Sequence, residues 1–334
     1  MNTFITFRVI LVSTSFALLL GPVGYLITRK LNLTDDPRSA PHKQHNTPTS
    51  VAGGPVLFIS IIASGAIFGF YKTSIFLPIL LGASIIFLFG LWDDLKNISP
   101  LWKLIGQLLA AIILIYLGVQ VRLFRQDWLN YLLTILWVVG IINAYNFVDS
   151  MDGLAIGLAV IASSFFLLVT IDSGQPELTL LSTILVGVCL GAFFYNATPA
   201  VFFLGDSGAQ LLGFILAALG RAYNPVGFER IASWYVPILL IGVPIFDTTL
   251  VVFSRLRRRK RIYEAGLDHT YHRLVGLRLS PNRAVLAMHL AAILLGCLAF
   301  IALPMPPLIS NLIFGAVLLA GMVGILILER KHEF

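Results

Sequence analysis

Five carboxylates stand at the ends of apolar runs in a chain with few charges: Asp93, Asp94, Asp149, Asp152 and Asp206. Any one of them could simply end a helix in water. Five at such positions, with Asn and Gly around them, point to a site, because acids at membrane depth are costly. Asp93 and Asp94 are neighbours in Phe89-Gly90-Leu91-Trp92-Asp93-Asp94-Leu95-Lys96, and Lys103 follows two to three turns later. Adjacent carboxylates repel, which raises one pKa unless a cation sits between them. The pair therefore suits a divalent metal, or a base held beside one. Asn143, Asn146, Asp149 and Asp152 recur every three residues, which puts two amides and two acids on one face if the helix persists. Such groups form the hydrogen bonds a sugar or base needs. Asp206 precedes an apolar run of about 14 residues, about 21 Å long against a membrane core of roughly 30 Å. It is expected below the cytoplasmic surface, where a metal ion is its simplest partner. In Asp268-His269-Thr270-Tyr271-His272-Arg273 two His three apart precede an Arg. They could grip phosphate or shuttle protons, and the spacing also fits a metal. Asp247, inside an apolar span, either pairs with a neighbouring helix or joins the site. The run from Arg255 to Arg261 reads as a contact with anionic lipid.

These residues need a scaffold, and composition says which. The chain has 334 residues, 58% hydrophobic and 12% charged, with a mean hydropathy of +0.90. A soluble domain carries about 25% charged residues. A soluble enzyme, a disordered chain and a collagen-like fibre are excluded, and continuous apolar runs exclude a β-barrel. The expected fold is an all-α polytopic membrane protein forming a single integral-membrane domain over 1–334. Eleven spans are predicted: 6–27, 52–70, 75–92, 102–120, 129–147, 153–171, 178–196, 207–220, 234–254, 284–303 and 308–328. The first reads as a retained anchor. Seventeen Lys and Arg fall on one set of loops and six on the other. That places loops 28–51, 93–101, 148–152, 197–206 and 255–283 in the cytoplasm, with the N-terminus outside and the C-terminus inside. The net charge of +7 follows from that asymmetry and does not imply nucleic acid. Cys189 and Cys297, both in apolar runs, offer no disulfide framework. Acids, basic residues and His gathered at a membrane boundary match phosphoryl transfer. Chemistry alone reaches a metal-dependent transferase with one lipid substrate and one phosphorylated soluble substrate, and names neither.

The order of the pieces is more specific. Asp36-Pro37 through His42-Lys43, Thr47-Pro48-Thr49 with Gly53-Gly54, Trp92-Asp93-Asp94, and Lys103 with Gln107 come first. Then follow Asn143 through Asp152-Gly153-Leu154-Ala155, Asn196 through Gly205-Asp206-Ser207-Gly208-Ala209, Pro244 through Asp247, and His269 through His272-Arg273-Leu274. From about Asp35 to about Ser280 the chain resembles the polyprenyl-phosphate N-acetylhexosamine-1-phosphate transferases, of glycosyltransferase family 4 type. The resemblance implies transfer of N-acetylglucosamine-1-phosphate from UDP-N-acetylglucosamine to undecaprenyl phosphate, releasing UMP, as a first membrane step of cell-envelope glycans such as teichoic acid or lipopolysaccharide. It implies Asp93 as base on the lipid phosphate, Asp94 as its support or a metal ligand, and Asp206 as ligand of Mg²⁺, with Mn²⁺ as an alternative ion. Asn146, Asp149, Asp152 and Phe203 match the nucleotide pocket, with Phe203 against uracil. Lys43 and Lys103 match positions near the phosphates, and Asn143, Asn196 and Arg273 complete the substrate-binding set. His269 and His272 match the catalytic His motif. Two departures stand out: Tyr271-His272 replaces adjacent histidines, and Ser150 stands where Gly is usual. The partners implied are a UDP-sugar, undecaprenyl phosphate and membrane lipids, with a homodimer left open, in a bacterial plasma membrane with the site facing the cytoplasm. A phospho-MurNAc-pentapeptide transferase is the alternative, though it usually carries an unbroken His triplet. A transporter would place its acids nearer mid-membrane.

Overall fold

The computed structural model describes residues 2–35, 48–225, 233–262 and 266–330. The long apolar runs become helices: α1 (Thr3–Lys30), α2 (Gly53–Ile67), α3 (Phe76–Lys96), α4 (Pro100–Tyr116), α5 (Asp127–Val148), α6 (Leu154–Asp172), α7 (Pro176–Asn196) and α8 (Gly205–Ala222). After these come α9 (Val236–Leu240), α10 (Gly242–Arg257), the short α11 (Thr270–Gly276), α12 (Pro281–Ala302) and α13 (Pro307–Arg330). Seven of them, α1, α3, α5, α6, α7, α12 and α13, are long and apolar enough to cross a membrane. The chain is thus a helical, polytopic membrane protein.

At the centre lies α8, buried from Ser207 to Gly220. It packs on α2, α3, α5 and α6, and its run of Gly and Ala lets neighbouring backbones approach closely. The segment between Ala222 and α9 includes residues outside those described. Around α8, α1 covers α7 and α2, α4 bridges α3 and α5, and α12 leans on α6.

Three features differ from the sequence reading. Strands β1 (Thr34–Asp35), β2 (Thr49–Val51) and β3 (Phe202–Phe203) form a small sheet in that order. Thr34 pairs with Ser50 antiparallel, and Ser50 with Phe202 parallel. Strands this short carry no readable alternation. The span expected over 234–254 is two helices meeting at Ile241, where Gly242 and Pro244 remove helix propensity and a backbone donor. Finally, α8 has 18 residues and begins at Gly205, longer than its expected stretch because Gly205, Asp206, Arg221 and Ala222 are also helical. Asp206 therefore occupies the first helical turn, not the loop before it.

Candidate active site

The acid cluster is built where α3 meets the start of α8. The two backbones touch there. A Cβ on Gly90 would lie 2.5 Å from the Ser207 Cα, and one on Gly205, which has φ of +69°, would lie 2.7 Å from the Asp94 carboxylate. Asp94 uses this closeness. Its Oδ1 accepts the Asp206 N–H at 2.7 Å, and its Oδ2 accepts the Ser207 N–H at 3.1 Å and the Ser207 hydroxyl at 2.5 Å. A carboxylate so placed satisfies orphan donors of a helix N-terminus and meets its positive dipole end. Of the two roles the resemblance implies for Asp94, support or metal ligand, these contacts bear on the first. Both of its oxygens are committed to holding α8 in place, and so to aiming Asp206.

Asp206 projects from that fixed turn. One of its oxygens, Oδ2, accepts from the Lys103 ammonium and, at 3.1 Å, from Gln210 Nε2. The same ammonium lies 2.7 Å from Oδ2 of buried Asp93. Two carboxylates from α3 and α8 thus converge on one cation from α4. Behind them runs a line of amides. Gln107 Nε2 donates to Gln210 Oε1 at 3.2 Å, and Asn143 Nδ2 donates to Gln107 Oε1 at 2.7 Å. Asn143 therefore acts through Gln107 and Gln210. Sequence reading missed Gln210, although its place four residues after Asp206 puts both on one helical face.

The second cluster does not lie on a single face. The helix stops at Val148, and Gly153 is left-handed with φ of 72°, so Asp149 and Asp152 leave the line of Asn143 and Asn146. Asp152 Oδ2 accepts the Ala200 N–H at 3.1 Å. Buried Asn196 accepts the Gly153 N–H at 3.2 Å and donates to the Phe202 carbonyl at 3.1 Å. These two residues join the loop after α5 to the loop before α8, which carries Phe203. Asn146, Asp149 and Phe203 are half-buried along that seam. Burial, and then the nearby carboxylates of Asp206, Asp94 and Asp152, push the Asp149 carboxyl up to about 8.

The His motif comes from α10 and α11. Asp247, fully buried on α10, lies 2.9 Å from His269 Nδ1 through Oδ2 and accepts the Thr270 N–H at 2.6 Å through Oδ1. That settles its open assignment: it pairs with the motif. Phe147, next to Asn146, meets the His269 ring edge-on at 6.1 Å, and the His272 ring lies 5.9 Å from that of His269. Arg273 is placed differently from the expectation of a substrate cation. It is buried, with Nη1 2.5 Å from Glu329 Oε2 and Nε donating to the Asp268 carbonyl. The basic run read as a lipid contact is partly engaged within the chain. Arg255 binds Asp268 through Nε and Nη2, both at 2.8 Å, and Arg257 and Arg258 reach Glu329. Arg257, Arg259, Lys260 and Arg261 of that run are exposed. Lys43 lies outside the described residues.

No group of three His, Cys, Asp or Glu among the described residues is arranged to hold a metal. The oxygen donors fit Mg²⁺ by chemistry nonetheless, because that ion commonly takes one or two carboxylates and completes its shell with water and substrate phosphates. Asp206, which projects from the first turn of α8 towards the Lys103 ammonium, is the residue that would hold it.

The profile of "Glycosyl transferase family 4" matches residues 76–223, the stretch from α3 to α8 that carries all five acids. The chain is 34% identical over 292 residues to the probable undecaprenyl-phosphate N-acetylglucosaminyl 1-phosphate transferase of Bacillus subtilis, covering 84% of this chain and 80% of that one. It is 30% identical to the decaprenyl-phosphate N-acetylglucosaminephosphotransferase of Mycobacterium tuberculosis, with 94% and 86% covered. It is also 27% identical to a phospho-N-acetylmuramoyl-pentapeptide-transferase of Clostridium botulinum, with 88% and 95% covered.

Proposed function

Since this chain belongs to the polyprenyl-phosphate N-acetylhexosamine-1-phosphate transferases of glycosyl transferase family 4, we propose that it passes N-acetylglucosamine-1-phosphate from UDP-N-acetylglucosamine to undecaprenyl phosphate. Overall, a P–O bond forms to an oxygen of the lipid phosphate, the bridging diphosphate bond breaks, and UMP leaves with the electron pair. The observation that carries the reading is the convergence of Asp93 and Asp206 on Lys103 at one end of the helical bundle.

The geometry and the resemblance together support the following roles. Asp93 takes the proton of the lipid phosphate, with Lys103 beside it to meet the incoming charge. Asp206, aimed by Asp94, holds Mg²⁺ (or Mn²⁺) together with substrate phosphates; when bound, the ion neutralises charge on the diphosphate. Asn146, Asp149 and Phe203 face the nucleotide, while Asp152 and Asn196 keep their two loops together. His269, with Nδ1 turned to Asp247, keeps Nε2 for a phosphate oxygen or a proton, and His272 stands beside it. Lys43 joins the phosphate-binding set. The membrane arrangement that supports these roles has eleven crossings, the N-terminus outside, and the site and C-terminus in the cytoplasm of a bacterial cell. A homodimer is compatible with it.

The test is UMP release from purified protein with undecaprenyl phosphate and Mg²⁺, comparing UDP-N-acetylglucosamine with UDP-MurNAc-pentapeptide. Release with the first alone is expected. Release with the second alone would make the chain a pentapeptide transferase, and release with neither would overturn the reading.

A further inference from the structure

The last helix is anomalous. Between Pro307 and Arg330 its buried side chains are Ser310, Phe314 and Glu329, and the rest of its length is largely unpacked. Yet Glu329 is only 3% exposed. An acid at the end of an apolar helix stays buried only if cations meet it, and here three do. Arg273 Nη1 lies 2.5 Å from Oε2, while Arg257 and Arg258 lie 3.0 and 3.3 Å from Oε1. These guanidiniums come from two places, the end of α10 and the middle of α11. Arg273 directly follows His272, and its Nη1 also reaches the Leu328 carbonyl at 3.2 Å.

We propose that Glu329 is a positioning residue for the His269–His272 motif. A helix of seven residues such as α11 cannot hold itself in water or at an interface. It is fixed at its start by Asp247, through His269 and Thr270, and further along by Glu329 through Arg273. Without the Glu329 charge, Arg273 loses the carboxylate that ties it to the end of α13, and α11 is held only at its start. The His269 ring then loses its fixed angle, although no atom of Glu329 touches substrate. The activity arm of the test below rests on the transferase reading; the chemical arm does not.

The experiment uses the purified full chain in detergent. Reaction of its histidines with diethyl pyrocarbonate is followed site by site by mass spectrometry. In Glu329→Gln, His269 and His272 should be modified several-fold faster. His289, on α12 beside the Leu154 carbonyl, should be unchanged. Glu329→Asp should restore most of the protection. Glu177→Gln, which removes an acid bonded to Ser74 at the far end of α7, should leave all three rates alone. In turnover, Glu329→Gln should lower kcat about tenfold with KM for the UDP-sugar little changed, and should add little in a His269→Gln background, because effects passed through one group are not additive. Unchanged His269 and His272 rates in folded Glu329→Gln would overturn the proposal. So would equal acceleration at all three histidines, which marks general loosening, or independent losses in the double variant. Selective exposure from a wild-type protein that releases no UMP would keep the proposal and remove the transferase reading instead.

Discussion

Among the described residues around Asp206, acids outnumber their cations: Asp93 and Asp206 share Lys103, and Asp149 is pushed towards its neutral form by burial and by three neighbouring carboxylates. Around the His motif the balance is reversed. Arg255 grips Asp268, and Arg257, Arg258 and Arg273 close on Glu329. The first region has negative charge to spare and is fixed by uncharged means, chiefly close backbone contact and a capped helix. The second is fixed by ion pairs and has its acids fully engaged. On the proposed function, a diphosphate entering the acid region adds more negative charge, which favours a cation bound with it. The basic region needs no such partner, and its charges are structural. On the proposed function, similar residue types thus serve ligand binding in one place and scaffolding in the other.

The largest effect should come from Asp206→Asn. Turnover should fall by about a thousandfold, as expected when a group that stabilises transition-state charge is removed. Mg²⁺ should raise the melting temperature of the wild type but not of this variant, since an ion stabilises only a state that binds it. A normal Mg²⁺ response in Asp206→Asn would end the assignment of surplus charge to an ion. Next comes Gly90→Ala. Its new methyl would meet the Ser207 backbone at 2.5 Å, so α3 and α8 must part, at about 1–3 kcal/mol and with a large loss of activity. Gly276→Ala, at the end of α11 where a Cβ meets nothing within 4 Å, should leave melting unchanged. An active, stable Gly90→Ala would show that close packing does not position the acids. Smaller again is Asp247→Asn. Groups that orient a functional imidazole are worth about 10–100-fold, so kcat should fall by that much while Mg²⁺-induced stabilisation persists. Loss of that stabilisation would merge the two regions into one.

How much of this was legible in the sequence depended on range. The helical class and the placing of acids at helix ends follow from runs of apolar residues, which are local patterns. Asp206 and Lys103 could be picked out because few charges interrupt those runs. The partners of Asp94 could not be read from sequence, because they are backbone N–H groups of a helix more than a hundred residues away. A carboxylate bonded to backbone looks, in sequence, like one awaiting a metal. The Arg273–Glu329 pair, 56 residues apart, was hidden the same way, and Glu329 passed for an ordinary helix-ending charge. Gln210 was missed because a polar residue in an Ala- and Gly-rich helix gives no sign of which neighbour it meets. Asp247 was correctly singled out by its depth, but only the structure shows that it faces His269.

The smallest effects, and the ones that sharpen the contrast most, lie in the pH dependence of stability. Asp149 has its carboxyl raised to about 8, by burial first and by Asp206, Asp94 and Asp152 after it. The unfolded chain releases that proton near 4. Between those values the folded state holds a proton that the unfolded state lacks, so stability falls as pH rises through the interval. Asp268 behaves oppositely. Burial works against its charge, but hydrogen bonds from Arg255 and the charges of Arg255 and His269 overcome it and hold the carboxyl below its usual range. Its contribution is present above the unfolded value and is lost as pH falls through the folded one. Melting measured in detergent from acid to mildly alkaline pH separates the two. Asp149→Asn should flatten the decline between about pH 4 and 8, and Asp268→Asn should flatten the acid limb below it. If both variants flattened the same limb, the acid cluster and the His motif would share one charge balance, and the division between a region that awaits a cation and one that is already closed would fail.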